Sequence, residues 1–298
     1  MAASGTACWR IGRGEPGYPP QLEQLERPPA ALHGLGDRTL IAGLALGEAV
    51  TVVGSRRASA HALAVAEGLA RDLAAAGIVV VSGMALGIDA AAHRGALAGG
   101  GRTVTVLGGG PDVIYPARER RLYRQILASG AIVSERPPKE RPTPGSFPAR
   151  NRIMAALSAM TVVVEAALPS GSMITATEAL DLGREVGAVP GLVTARNAAG
   201  TNDLIANGAK LVRGAADVLD AIGPVGRTRA AACGPGLEPA LAAALDAVEL
   251  GAATADALAA AAGLGGREAM VALTRLELLG YARADPAGRV ARTALRRP

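Results

Sequence analysis

Apolar and polar positions change rhythm twice along this chain, near residue 50 and again near residue 223. From Val50, short apolar runs alternate with helical segments. VTVVG is followed by a helix to Ala76, IVVVSG by a helix to Ala98, and TVTVLGGG by a helix near Tyr123. AIVSE, TVVVEA, VGAVPG and KLVR complete the series. Near-continuous apolar strands separated by helices predict a parallel sheet covered by helices on both faces. The β-branched run from Thr161 to Ala166 predicts a strand buried on both faces, hence one central in the sheet. Residues 1–46 lack this rhythm; GEPGYPP and a second Pro-Pro pair give an irregular lead-in with short helical turns. GPVGRTRAAACGPG, after Ile222, has no periodicity and reads as a linker over 224–236. Over 237–298 three helical patterns follow, at Ala240 to Glu249, at Thr254 to Ala262 with Thr254 as N-cap, and at Arg267 to Leu279. A hairpin with Pro286-Ala287-Gly288 at its turn comes after them. The expected organisation is therefore a lead-in (1–46), an α/β sheet domain (47–223), a linker, and a small winged helix-turn-helix (237–298).

Ligands of such sheets sit at the carboxyl ends of the strands. The turns expected there are small and polar: Gly54 to Ser59, Ser82 to Asp89 (which includes Gly83), Gly108 to Asp112, and Ser170 to Ser172. Four such turns on one edge suggest a phosphate-contacting surface. Two loops with binding chemistry lie on either side of the run 161–166. Upstream, Phe147-Pro148 and then Arg150-Asn151-Arg152 put a ring, two guanidiniums and an amide on a loop entering a helix. Downstream, Ser170-Gly171-Ser172 opens a helix through Thr175, and a helix start offers free N–H groups and a positive dipole end to anions. Phe147 is the one Phe of the chain and stands beside prolines rather than in a periodic apolar pattern, so its ring is available for stacking.

Composition changes this picture little. With 298 residues, about two domains fit, and the formal charge of +5 is compatible with a polyanionic partner. Arg carries almost all the positive charge, the lysines being Lys139 and Lys210. Cys8 and Cys233 lie far apart without metal or disulfide spacing, which fits a reducing cytoplasm, and no apolar run predicts export or a membrane span. No cofactor or metal site is expected.

GSRRAS follows a strand and opens a helix, so Gly54 permits close backbone approach while Ser55, Ser59 and Arg56 or Arg57 can hold a phosphate. Equally, Ser59 can simply cap the helix and Arg57 be solvated. G-x-G-x-x-G and the P-loop pattern are absent. Asp89 and His93, four apart on one helix, suit an acid–base pair or half a metal site. Lacking a further ligand at metal spacing, a structural role is the better expectation. Glu135 and Glu165 could be paired carboxylates, although Glu135 beside Arg136 is equally a solvated ion pair. No nucleophile, base and orienting group assemble. The third helix of the C-terminal part begins Gly266-Arg267-Glu268 and carries few basic residues, which leaves protein and DNA both open as its partner.

The ordered run VGSRRAS, SGMALGIDAAAHRGAL, TVLGGGPDVIYP, GAIVSERPP, FPARNRIMAALS, VVVEAALPSGSMITA, GREVGAVPG and GTNDLIANGAKLV closely resembles the DNA-processing protein A family (DprA, also called Smf), over roughly residues 50–214. The resemblance implies an extended Rossmann-like domain that dimerises, grips single-stranded DNA in a basic pocket and hands it to the RecA recombinase during natural transformation, without catalysis. It implies that Arg56 binds phosphate and that Phe147 stacks on a base. The C-terminal part resembles the winged-helix domain some members carry, and the helical domain at the front of many members looks shortened or absent. Leu86 stands where many members have a basic residue, and Arg118 to Arg120 where many have an Asn near YPxxN. Two rival readings remain: a Rossmann-like enzyme hydrolysing nucleotides or phosphoribosyl bonds, with Glu165 as its acid, and a nucleotide sensor signalling through the winged helix.

Overall fold

The β-branched runs do form strands, and their order fixes where a ligand can sit. The structure, a computed structural model, describes residues 7–223, 237–252, 254–284 and 290–292. The chain divides into two units, residues 1–228 and 229–298. The sequence-derived linker over 224–236, with Cys233, lies outside the described residues.

In the first unit the strands are β1 (Trp9–Gly12), β2 (Ala31–Gly36), β3 (Ala49–Val53), β4 (Val79–Ser82), β5 (Thr103–Val106), β6 (Ala131–Ser134), β7 (Met160–Val163), β8 (Glu185–Ala188) and β9 (Lys210–Leu211). The helices are α1 (Arg38–Ala42), α2 (Ala60–Ala75), α3 (Ile88–Ala98), α4 (Arg120–Ser129), α5 (Ser146–Leu157), α6 (Gly171–Asp181), α7 (Ala199–Ala206) and α8 (Ala215–Ile222). One sheet runs β1-β2-β6-β5-β4-β3-β7-β8-β9. From β6 to β9 every neighbouring pair is parallel, so all those carboxyl ends share an edge. β2 joins β6 antiparallel, and β1 joins β2 antiparallel. The stretch expected to be irregular thus extends the sheet by two strands. Its prolines and glycines lie largely between β1 and β2, and the strands themselves, WRIG and ALHGLG, are too short and glycine-rich to show an alternation.

Successive strand residues turn to opposite faces. Val50 and Val52 of β3 pack with α2, α3 and α8 residues, while Ala49 and Val53 pack with those of α5 and α6. Thr51 is buried, and its hydroxyl donates to Met154 O of α5 at 2.9 Å, satisfying a polar group inside the core. β7 lies between β3 and β8 with all four residues buried, as expected of an interior strand. Strands β3 to β6 progress in one direction, and the chain then crosses back to set β7 on the other side of β3. That reversal makes the carboxyl ends of β3 and β7 the switch point of the sheet.

The second unit contains α9 (Pro239–Glu249), α10 (Ala255–Ala262), α11 (Gly266–Leu278) and an antiparallel pair, β10 (Ala282–Ala284) with β11 (Val290–Arg292). Thr254 caps α10, accepting from Ala257 N at 3.2 Å. Leu245, Leu258, Leu273, Leu276 and Tyr281 form its own core. The architecture is that of a winged helix-turn-helix; residues 285–289, which include the Pro286-Ala287-Gly288 turn expected from the sequence, lie outside the described residues.

Candidate nucleic-acid interface

The loop leaving β3 is held by its backbone, and its cationic side chains are exposed. Ser55 N donates to Glu165 O at 2.7 Å, and Ser55 O accepts from Ile88 N at 3.2 Å. Gly87 makes this approach possible: its φ is +79°, and a Cβ there would lie 2.2 Å from Ser55 O. Gly54 is likewise required, since a Cβ would meet Glu165 O at 2.8 Å. Arg57 N donates to Ser55 Oγ at 3.1 Å, closing the turn. Arg56 and Arg57 are exposed on this fixed loop.

Across from it, the first turn of α5 presents Phe147, half-buried. The Arg56 guanidinium lies over the ring, 5.4 Å from its centroid, and the exposed Tyr115 ring sits 5.4 Å away at 39°. Below them Arg150 is 5% exposed: it donates to Val106 O at 2.5 Å and to Asn151 Oδ1 at 3.0 Å, and its Nη2 is 3.6 Å from Asp89 Oδ2. Burial pushes the Asp89 carboxyl up and the Arg150 guanidinium down, each opposed by the charge of the other. Gly83 leaves room for that guanidinium; a Cβ there would fall 1.7 Å from Arg150 Nη1. The third wall is the start of α6, where Ser170 caps the helix, accepting from Ser172 N at 3.4 Å, and Asn151 Nδ2 donates to Gly171 O at 3.3 Å. Together these elements enclose an open cleft of about 680 Å³ at the switch point, lined by Gly54, Ser55, Arg56, Arg57, Phe147, Arg150, Asn151, Ser170, Gly171, Ser172 and Thr175. A smaller cavity of about 60 Å³, walled by Gly83, Tyr115, Phe147 and Arg150, adjoins it. A ring, two exposed guanidiniums and a helix start on one concave surface can hold bases and phosphates together.

Residues 9–223 match the family described as DNA recombination-mediator protein A. The chain belongs to that family. A Bacillus subtilis DNA processing protein DprA is 39% identical over 203 residues, covering 68% of this chain and 67% of the relative. A Mycobacterium tuberculosis relative is 42% identical over 246 residues; the alignment takes in 78% of this chain but only 62% of that protein's length. The structure of DNA processing protein A from Streptococcus pneumoniae superposes with a TM-score of 0.67 at 39% identity, over 71% of this chain and 73% of that one. A second, from Helicobacter pylori, superposes with a TM-score of 0.64 at 31% identity, over 72% and 94%, and is described by its single-stranded DNA binding mode.

Three residues of the sequence-derived site stand apart from the cleft. Ser59 does not reach it: its N and Oγ donate to Glu165, the Oγ at 2.6 Å, while the same hydroxyl caps α2 by accepting from Ala62 N at 3.1 Å. Gly83 lies beneath Arg150 rather than on the surface. Arg152 faces the other side of α5, where it pairs with Glu135 at 2.5 Å, and the whole FPARNR stretch is helical rather than loop. Glu135 is thus the partner of Arg152, whereas Arg136 binds Glu140 at 2.8 Å. Glu165 accepts additionally from Asn197 Nδ2 and serves as a clamp between loops, so the two carboxylates do not form a pair. Asp89 and His93 also keep separate partners, Arg150 and Thr103. Sequence reasoning missed Tyr115 as a site residue. Its Tyr-Pro step after GGGPD was visible, but only folding brings the ring from the β5 loop to Phe147.

Proposed function

We propose that the switch-point cleft binds single-stranded DNA, with Phe147 stacking on a base and Arg56 and Arg57 holding phosphates. The observation that carries this reading is the Arg56–Phe147–Tyr115 cluster at the mouth of the cleft. An exposed cation–π contact contributes only ~0.5–1 kcal/mol, so Arg56 can exchange the ring for a charge-assisted phosphate bond as a base takes its place. The Helicobacter pylori relative, described as binding single-stranded DNA, supports the same ligand class. Membership of the family supports a wider reading, in which a cytoplasmic homodimer, joined through its Rossmann-like unit, protects incoming single strands and loads RecA onto them in transformation or recombination, without catalysis of its own. The hydrolase reading finds no support in Glu165, whose carboxylate is occupied by Ser59 and Asn197.

Phe147→Ala and Arg56→Ala test the cleft through different physical terms. Phe147→Ala should lose ~1–3 kcal/mol of binding while keeping the salt dependence, because no charge is removed. Arg56→Ala should weaken binding and lower the slope of log K against log salt by ~0.7 on single strands. Poly-dT titrations at several salt concentrations, with thermal melts as a folding control, read both. Unaltered affinity in two folded variants, or equal affinity of the wild type for duplex, refutes the assignment.

A further inference from the structure

Helix α5 divides two clefts. Phe147, Arg150, Asn151 and Met154 line the one at the switch point, while Ala149 and Arg152 line another of about 680 Å³. At ~100° per residue these two sets centre on opposite sides of the helix. The second cleft continues across Arg10 of β1, Arg27, and Glu135, Arg136 and Glu140 beyond β6. Because β6 and β3 end on the same edge and stand three strands apart, the two clefts are separated by ~14 Å along it.

Four guanidiniums face two carboxylates there, and the ion pairs leave donor capacity unused. Arg10 is drawn to Glu15 at 2.9 Å and Arg136 to Glu140 at 2.8 Å, both partly exposed pairs that solvent screens and a phosphate can replace. Arg27 is exposed and makes no ion pair among the described residues. Arg152 gives Nη2 to Glu135, but its Nη1 is buried without an acceptor. A network that served only to tie β6 to α5 would need neither Arg27 nor the spare donor of Arg152. We propose that this cleft is a second phosphate subsite, which takes backbone phosphates of a single strand leaving the Phe147 cleft over the first turn of α5. Arg27 and Arg136 make the contacts, Arg136 exchanging Glu140 for phosphate. The proposal rests on the reading of the first cleft as a single-strand site.

The test uses the full chain with oligo-dT of 4 and 20 nucleotides, lengths that bracket the ~4–16 nucleotides typical of a single-strand site. Arg27→Glu/Arg136→Glu should leave dT4 binding unchanged, weaken dT20 about tenfold, and reduce the dT20 salt slope by ~1.4, two phosphates' worth. The milder Arg27→Ala/Arg136→Ala pair should act in the same direction with an unchanged melt, which guards against misfolding. Unchanged dT20 affinity and slope overturn the subsite, even if inorganic phosphate alone binds there; so does an equal loss on both lengths, which marks a diffuse field. If Phe147→Ala is silent on both lengths while the double variant still loses dT20 affinity and slope, the second cleft binds strand phosphates by itself, and the path from the Phe147 cleft is overturned.

Discussion

His93 shows how a single buried side chain sets a pH limit on this fold. Its Nδ1 lies 2.7 Å from Thr103 Oγ1, and that hydroxyl gives its only proton to Val80 O at 2.6 Å. Thr103 must therefore accept from the imidazole, which fixes the Nδ1–H tautomer and leaves Nε2 buried without a donor. Burial, helped by Arg150 and Arg94, pushes the His93 pKa down from 6.5 to about 3. The unfolded chain then binds the proton that the folded chain refuses. Stability from this residue is complete above pH 6.5 and is lost as pH falls toward about 3, at ~1.4 kcal/mol per unit. Urea unfolding of wild type and His93→Gln at pH 7 and pH 5 isolates the effect from the carboxylates. We expect the gap between the two proteins to shift by ~2 kcal/mol in favour of the variant. Parallel losses in both would mean that the imidazole is protonated inside the fold.

At the scale of elements, one carboxylate ties three segments together. Glu165, just beyond β7, accepts from Ser59 N at 3.1 Å, from Ser59 Oγ at 2.6 Å and from Asn197 Nδ2 at 2.5 Å. Ser59 is the N-cap of α2, and Asn197 belongs to the turn before α7, so the clamp holds the loop of Arg56 and Arg57 against the β7 and β8 ends. Glu165→Gln replaces one acceptor oxygen with an NH₂ group facing donors. It should cost ~1–3 kcal/mol in denaturant unfolding while the salt slope for oligo-dT stays at its wild-type value, since Arg56 and Arg57 remain. An unchanged unfolding midpoint would remove the clamp role. Helix α5 shows the complementary point. In the text RNR is a basic pair around an amide, yet two helical residues apart is a turn of ~200°, so Arg150 goes under one cleft and Arg152 into another.

For the whole molecule, the separation of cores decides what can be removed. The clusters around the sheet draw on residues 9–222, and the cluster of the winged-helix unit on residues 237–290. Every residue lining the switch-point cleft belongs to the first unit. A chain ending after Gly223 should therefore melt cooperatively and keep most of its affinity for oligo-dT in gel shifts. A folded truncation that has lost the strand would make the winged helix part of the binding site. Among the described residues no helix is long and apolar enough to cross a membrane.

The sequence alone determined the parallel order of strands and helices, the winged-helix unit, the family, and the loop carrying Arg56. These are written in local signals: strand period, turn residues, caps, and contiguous motifs. It left β1 and β2 unread, because two short strands in a Pro- and Gly-rich stretch have too few alternating positions to stand out, and the sheet edge on which β2 docks belongs to β6, about a hundred residues away. Which members of the basic and acidic pairs meet was also decided only in three dimensions. Glu135 found Arg152 rather than its neighbour Arg136, Ser59 was claimed by Glu165, and Tyr115 arrived beside Phe147 from another strand's loop. Charge and hydrogen-bond capacity are properties of residues, but partners are set by which faces the helices and strands turn toward one another, and that is a property of the packed molecule.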